Sequence, residues 1–193
     1  QPLLITILKP NPNPDTMNIS IKLQLIAIAL LYVIPIQLAA QDNPDFKLAP
    51  NGVTITCDAA NVGDTGDVTI DGTTITFTKR DRAGIETLLD TDENNPDLAT
   101  TCTSGITDMS SLFESRRFNL DIGSWDVSQV TDMDFMFLNA SAFNQDIASW
   151  DVSQVTNMLA MFSSATAFNQ DIDDWNVSSV TDMSNMFSNA TAF

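Results

Sequence analysis

The amino-acid sequence predicts an α/β repeat solenoid built of coils of about 25 residues, each a short strand plus a short helix, behind a small N-terminal β-rich cap. Three observations predict it. Trp125, Trp150 and Trp175 are 25 residues apart, as are Phe118, Phe143, Phe168 and Phe193. Between these markers the wording recurs, as FNLDIGSWDVSQVTDMDFMF, FNQDIASWDVSQVTNMLAMF and FNQDIDDWNVSSVTDMSNMF. A fixed period of this size marks a supersecondary unit that buries its apolar side only against its neighbours. Within each unit the apolar spacing switches from alternation to a helical period.

The strand is read from the Trp-x-Val step. In the second copy Ile147, Trp150, Val152 and Val155 follow the leucine-rich-repeat-like pattern L-x-x-L-x-L, with Val155 where many such repeats carry Asn. Alternation ending on a β-branched residue predicts a short strand. The helix is read from Met133, Met136, Phe137 and Ala140, which fall at i, i+3, i+4 and i+7. Thr131 stands at the N-cap position, repeated by Thr107, Thr156 and Thr181, and Asp132 brings negative charge to the helix's positive end. In one copy Asp134 completes a capping-box-like T-x-x-D.

The expected core is Phe118, Ile122, Trp125, Val127, Val130, Met133 and Phe137 in the first full copy. Phe143, Ile147, Trp150, Val152, Val155, Met158 and Phe162 follow in the second, and Phe168, Ile172, Trp175, Val177, Val180, Met183 and Phe187 in the third. The methionines need no ligand to explain them, because thioethers fill gaps beside rings.

The wording FNQDIxxWDVSxVTxM followed by MF resembles the repeat of the BspA-like bacterial surface proteins, found also in mycoplasma lipoproteins and grouped with the leucine-rich repeats. The resemblance covers Gly105 to Phe193. It implies export, a surface or secreted location, and adhesion or binding to host or matrix molecules, and it brings no catalytic residues.

Past residue 40 the chain carries 6 basic and 24 acidic side chains, a net charge of −18. Such acidity disfavours nucleic acid and anionic membranes as partners. The absence of His removes the usual general base and the commonest transition-metal ligand. An enzyme would have to work with carboxylates alone.

Four segments are expected. Residues 1–16, with Pro10, Pro12 and Pro14 and no initiating Met, read as upstream or mis-assigned translated sequence ahead of Met17. Residues 17–40 read as a secretory signal peptide: Lys22, an apolar run from Leu23 to Ile34, Pro35 as breaker, and Ala39 and Ala40 before Gln41. That run is shorter than the span of about 20 residues that a membrane requires, so the mature part is expected to cross no membrane. Residues 41–104 form the N-terminal cap and residues 105–193 the repeats.

In the cap, Val53 to Cys57 alternates with Thr. Asp67 to Ile70 is expected to pair with Thr73 to Thr78 around Asp71-Gly72, a dipeptide favoured in type I′ hairpins. Asp81 to Asp90, with Ile85, Leu88 and Leu89, reads as one short helix. Cys57 and Cys102 follow an export signal, so a disulfide leads over two buried thiols. Asp90 to Asp97 fails the EF-hand test, with Asn95 in the Gly position and Thr101 in that of the bidentate Glu, and reads as an acidic turn.

Copy-on-copy stacking brings Asp121, Asp146 and Asp171 together, and like charges that close repel unless paired. Two readings remain open. Each carboxylate accepts backbone N–H bonds at a turn, or the row bridges calcium, the one cofactor under consideration. Asn119, Asn144 and Asn169 need no ion, because amides both donate and accept up a stack.

Catalytic groups are few and singular, whereas nearly every Asp here recurs in register. The expected function is therefore non-catalytic binding of an extracellular protein or glycan at the cell surface, with a passive structural spacer as the alternative and a carboxylate-based hydrolase third. Arg116, Arg117, Asp173 and Asp174 break the repeat pattern and mark where specificity would lie. Trp175, Met183, Met186, Phe187 and Phe193 are expected to form an exposed apolar row through which the chain, read as a fragment of a longer frame, self-associates.

Overall fold

The computed structural model describes residues 43–193. The readings of residues 1–16 and 17–40 lie outside these residues.

Residues 43–104 contain all the regular secondary structure among the described residues. Strand β1 (Lys47–Leu48) pairs antiparallel with β2 (Ile55–Thr56). Strands β3 (Thr65–Ile70) and β4 (Thr73–Lys79) form the expected hairpin, in full register from Thr65↔Thr78 to Ile70↔Thr73. Asp71 and Gly72 both take positive φ, 49° and 79°, as a type I′ turn requires. Strand β5 (Thr101–Cys102) adds to β4 in parallel. Gly66 is needed where it stands, since a Cβ there would collide with the Phe46 ring.

Helix α1 spans Arg82–Thr91, one residue from the expected limits. The Asp81 carboxylate caps it by accepting from the Gly84 N–H at 2.9 Å, and Ile85 and Leu89 are its buried face. The acidic stretch after it makes Asx turns at Asp92 and Asn95 and a 3₁₀ turn at Pro96–Leu98. Cys57 and Cys102 are joined by a disulfide, with Cα atoms 6.3 Å apart. Both lie in a small core with Phe46, Ile55, Ala60, Val68 and Phe77.

The α/β repeat solenoid of short strand plus short helix is not what forms. Among the described residues the single α-helix is α1, and 105–193 contains neither a helix nor a strand longer than an isolated bridge. The Met133, Met136, Phe137, Ala140 spacing arises instead from successive four-residue turns. Met136 N–H bonds to the Met133 carbonyl and Ala140 N–H to that of Phe137, with Phe135 and Asn139 at positive φ in the third position of each turn. Left-handed residues stop an α-helix. The remaining N–H groups, of Met133, Phe135, Phe137 and Asn139, donate to carbonyls of the following copy at Asn157, Leu159, Met161 and Ser163. They are thus unavailable to carbonyls four residues back.

The threonines read as N-caps have another role. Thr131 Oγ1 donates to the Thr107 carbonyl, Thr156 to that of Thr131 and Thr181 to that of Thr156, at 2.9–3.1 Å. The expected Trp-x-Val strand is likewise replaced by turns, Trp150 N–H to the Ile147 carbonyl and Val155 N–H to that of Val152. Parallel bridges of the β type occur in one file, Asp108, Asp132, Asn157 and Asp182, beside the alternate N–H groups that also donate from copy to copy.

The core of this region also takes in Ile85, Leu89 and Leu98, so α1 packs with the repeated segment. Phe113, Phe137, Phe162 and Phe187 form one ring file with centroids 5.3–5.6 Å apart. Phe118, Phe143, Phe168 and Phe193 form a second, at 5.7–6.0 Å.

In the first two full copies every expected core residue from Phe118 to Phe162 is buried, as are Phe168 and Trp175. The third copy departs from expectation. Val177 is 37% and Met183 41% exposed, against 0–1% for Val127, Val152, Met133 and Met158 in register with them. Ile172, Val180 and Phe187 are half-buried. The reason is geometric: no described residue packs on their outer side.

Candidate binding surfaces

The carboxylates that recur in register are engaged locally. Asp121, Asp146 and Asp171 each accept through Oδ1 from the N–H two residues on, in Gly123, Ala148 and Asp173, at 2.9–3.0 Å. Asp126, Asp151 and Asn176 do the same to Ser128, Ser153 and Ser178. Asp132, Asn157 and Asp182 do so to Asp134, Leu159 and Ser184. Three Asx turns per copy explain why Asp and Asn interchange at these positions, since either supplies the accepting oxygen. Among the described residues no group of three or more His, Cys, Asp or Glu side chains is placed to hold a metal ion.

The asparagine file differs from the expected amide ladder: the Asn side chains accept, and the donors are backbone N–H groups and glutamine amides. Asn119 Oδ1 accepts from the Asn144 N–H at 2.8 Å and from the Gln145 amide at 3.0 Å. Asn144 repeats this with Asn169 and Gln170. Gln145 and Gln170 stand outside the sequence-based expectation for this file. A signal was present, because the first copy carries Leu120 where the later copies carry Gln.

Asp126 was equally hidden. It is 4% exposed, while Asp151 and Asn176 in register with it are exposed. Its carboxylate accepts from Ser104 Oγ at 2.5 Å and from the Ser128 hydroxyl at 2.7 Å, and its carbonyl accepts from Thr103 Oγ1. Ser104 Oγ in turn accepts the Cys57 N–H at 2.9 Å. Those donors let a charge sit under the disulfide without a cation, and they tie residues 57–104 to the first copy.

The basic side chains concentrate at the same junction. A cleft of ≈ 370 Å³ is lined by Lys79, Arg80 and Arg82 together with Asp81, Ser104, Gly105 and Asp108. Its cations are already engaged. Lys79 Nζ donates to the Cys57 and Asp58 carbonyls, and Arg80 to Thr101 Oγ1 and Asp97. Arg82 bonds Glu86 and Asp108, and its guanidinium reaches the backbone carbonyls of Asp108 and Ser110 at 3.2 and 2.6 Å. These two carbonyls correspond in register to those of Asp132 and Asp134, which accept from the Met109 and Ser111 N–H groups. One arginine fork therefore does for the first copy what a preceding copy's backbone does for the others.

Of the residues that break the repeat pattern, Arg116 reaches the Leu89 carbonyl and Asp90 in α1, and the Arg117 N–H donates to Glu93 in the turn that follows it. Asp173 and Asp174 are exposed.

Three carboxyl groups depart from the ordinary range. The Ser110 hydroxyl and N–H, helped by Arg82, hold Asp108 low against the effect of burial. Ser184 does the same for Asp182 through its N–H and hydroxyl. Burial, followed by the charge of Asp132, pushes Asp134 up.

At the far side of the third copy lies the largest departure from the regular pairing. The N–H groups of Met183, Asn185, Phe187 and Asn189 are in register with those of Met133, Phe135, Phe137 and Asn139, yet among the described residues they meet no acceptor. Beside them Met183 and Phe193 are 41% and 51% exposed. Trp175 and Met186, expected in this row, are buried.

Residues 85–193 match the family described as Mycoplasma protein of unknown function, DUF285. The match begins inside α1, ahead of Gly105, as does the core that α1 shares with the repeats. No curated protein and no solved structure matches the chain. No helix among the described residues is long and apolar enough to cross a membrane.

Proposed function

The chain belongs to the family described as Mycoplasma protein of unknown function, DUF285, and on that premise we propose that it is an exported, surface-located, non-catalytic binding module of the BspA-like type. Its partner is an extracellular protein or glycan. The observation that carries this reading is the in-register stacking of the copies, held by copy-to-copy hydrogen bonds, which repeats one set of side chains along an extended face. The disulfide supports an oxidising, extracytoplasmic compartment. Non-catalytic action is favoured because the recurring carboxylates serve Asx turns.

The test is a binding panel of immobilised extracellular proteins and glycans probed with labelled residues 41–193. Saturable binding to one component is expected, weakened by Asp173→Ala with Asp174→Ala, the exposed residues that break the repeat. If nothing on the panel is bound saturably, the passive spacer is the better reading.

A further inference from the structure

The apolar face of the hairpin runs on past the core that it helps to build. Register sets Val68 opposite Ile75 and Gly66 opposite Phe77, so Ile70, Ile75 and Phe77 share one face. Phe77 is buried and the two isoleucines are half-buried, and all three line a cleft of ≈ 400 Å³. Val53, in the turn between β1 and β2, lines it too, as do Asp121 and Ser124 of the first copy. A second cleft of ≈ 240 Å³ shares Val53 and Asp121 and reaches Asp146 and Ala148 in the second copy. Hydrogen bonds fix the groove in place. Asn51 Oδ1 accepts from the N–H groups of Val53 and Thr54, and the Ile55 N–H donates to the Ser124 carbonyl at 2.8 Å. Asp173 is in register with Gly123 and Ala148, and Asp174 with Ser124 and Ser149, so the file that lines the groove continues at these two exposed carboxylates.

We propose that this groove takes a segment of a partner protein in which aliphatic and basic side chains stand side by side. Val53 is 41% exposed and the larger cleft beside it is mostly apolar, so an aliphatic side chain seated there removes apolar surface from water on both partners. Asp121 and Asp146 are exposed, and each uses Oδ1 for its Asx turn. Among the described residues neither belongs to an ion pair. The second oxygen of each is open to a lysine or arginine, whose bond to a carboxylate is charge-assisted. The acidic balance of the chain attracts a cationic partner and repels an acidic one. A sugar fits less well, because it turns hydroxyls to most sides and meets polar side chains in the larger cleft at Thr100, Asp121 and Ser124 alone. This inference rests on the reading of the chain as a binding module and adds to it the chemistry of the partner.

Retention of labelled residues 41–193 on arrayed hexapeptide libraries tests it. Each library is random except for two neighbouring fixed residues, Leu-Lys, Leu-Glu or Ser-Lys. Retention on the Leu-Lys library is expected to exceed that on either of the others by roughly tenfold or more. Val53→Lys, at a residue that both clefts share, should abolish it. Asp121→Asn keeps the acceptor of the Asx turn and removes the charge, and should lower retention about fivefold or more. Glu114→Gln, at an exposed carboxylate that lines neither cleft, should leave it unchanged. Thermal unfolding followed by circular dichroism establishes that each variant is folded. The inference is overturned if the Leu-Glu library retains the protein equally, or if both cleft variants bind as the parent does. It is also overturned if Glu114→Gln lowers retention as much as Asp121→Asn, since net charge alone would then explain binding. Should a panel component be bound saturably by the folded Val53→Lys and Asp121→Asn variants as by the parent, the binding module stands and the groove is not its seat. Should the Leu-Lys library be retained through Val53 and Asp121 while the panel yields nothing, the groove stands and the reading of a surface binding module fails.

Discussion

The indole N–H of Trp150 donates to the backbone carbonyl of Ile122, in the preceding copy, at 3.2 Å. Trp175 makes the same bond to Ile147, and Trp125 makes it to Leu98, the last residue of the 3₁₀ turn. Leu98 thus stands in for the isoleucine of a copy that is not there, which is how residues before Gly105 begin the stack.

Trp150→Ala should destabilise residues 41–193 by about 3–5 kcal/mol, since it opens a cavity between two copies and removes one of the two donors to the Ile122 carbonyl, which keeps the Trp125 N–H. Trp150→Phe keeps most of the ring and should cost about 0.5–1.5 kcal/mol, the net share of the lost bond. Guanidinium unfolding followed by circular dichroism measures both. A change within about 0.5 kcal/mol for the alanine variant would contradict the burial of this ring.

The period, most of the core, the β3–β4 hairpin, α1 and the disulfide were legible in the sequence because each rests on a local or recurring signal. Asp-Gly between alternating runs has one favoured turn, and Trp at a fixed interval has one reason to recur. The conformation inside each copy was not legible. Met133, Met136, Phe137 and Ala140 lie on one side both of a helix and of a chain of four-residue turns, so periodicity cannot separate the two. A clue lay at the left-handed positions, where Ser, Asn, Phe and Ala alternate from copy to copy. Asn favours positive φ, but Phe135 and Ala160 do not. Cross-copy hydrogen bonds decide the outcome there, and a single sequence does not display them. Arg82 was missed for a related reason. A cation in the first turn opposes the helix dipole, and that local mismatch was the one sign that it serves the neighbouring copy instead of α1.

The raised carboxyl of Asp134 gives a pH prediction. Burial and the neighbouring charge of Asp132 favour its protonated form in the folded state. The folded protein therefore binds this proton more tightly than the unfolded chain does. Its contribution to stability is fully present below the unfolded value of 3.8 and is lost as pH rises through the raised folded value. Asp108 and Asp182, held low, act in the opposite sense, contributing above the unfolded value and losing that contribution as pH falls through the folded one. Asp134→Asn should accordingly raise the thermal midpoint at pH 7 and give no gain at pH 3. Leu159 in the register position of Asp134 shows that no charge is required there. A lowered midpoint at pH 7 would show that the carboxylate makes a stabilising contact outweighing its burial.

The Arg82 fork carries the last prediction. Its guanidinium is part-exposed, with 31% of the side chain open to solvent, so the ion pairs with Glu86 and Asp108 are screened and contribute little. The two bonds to the Asp108 and Ser110 carbonyls differ in kind, because no other donor meets these groups among the described residues. Arg82→Met keeps the aliphatic stem against α1 and removes both donors. It should cost about 1.5–3 kcal/mol, the range for hydrogen bonds to a charged group. Arg82→Lys should recover less than half of that, since an ammonium is a point donor and cannot span two carbonyls as the planar fork does. Glu86→Gln, which disturbs only the screened pair, should change stability by less than about 0.5 kcal/mol. Unfolding midpoints of the three variants in guanidinium would check the order. Equal stability of the Met and Lys variants with the parent protein would mean that water satisfies the first copy's carbonyls, and that the fork is not what ends the stack at α1.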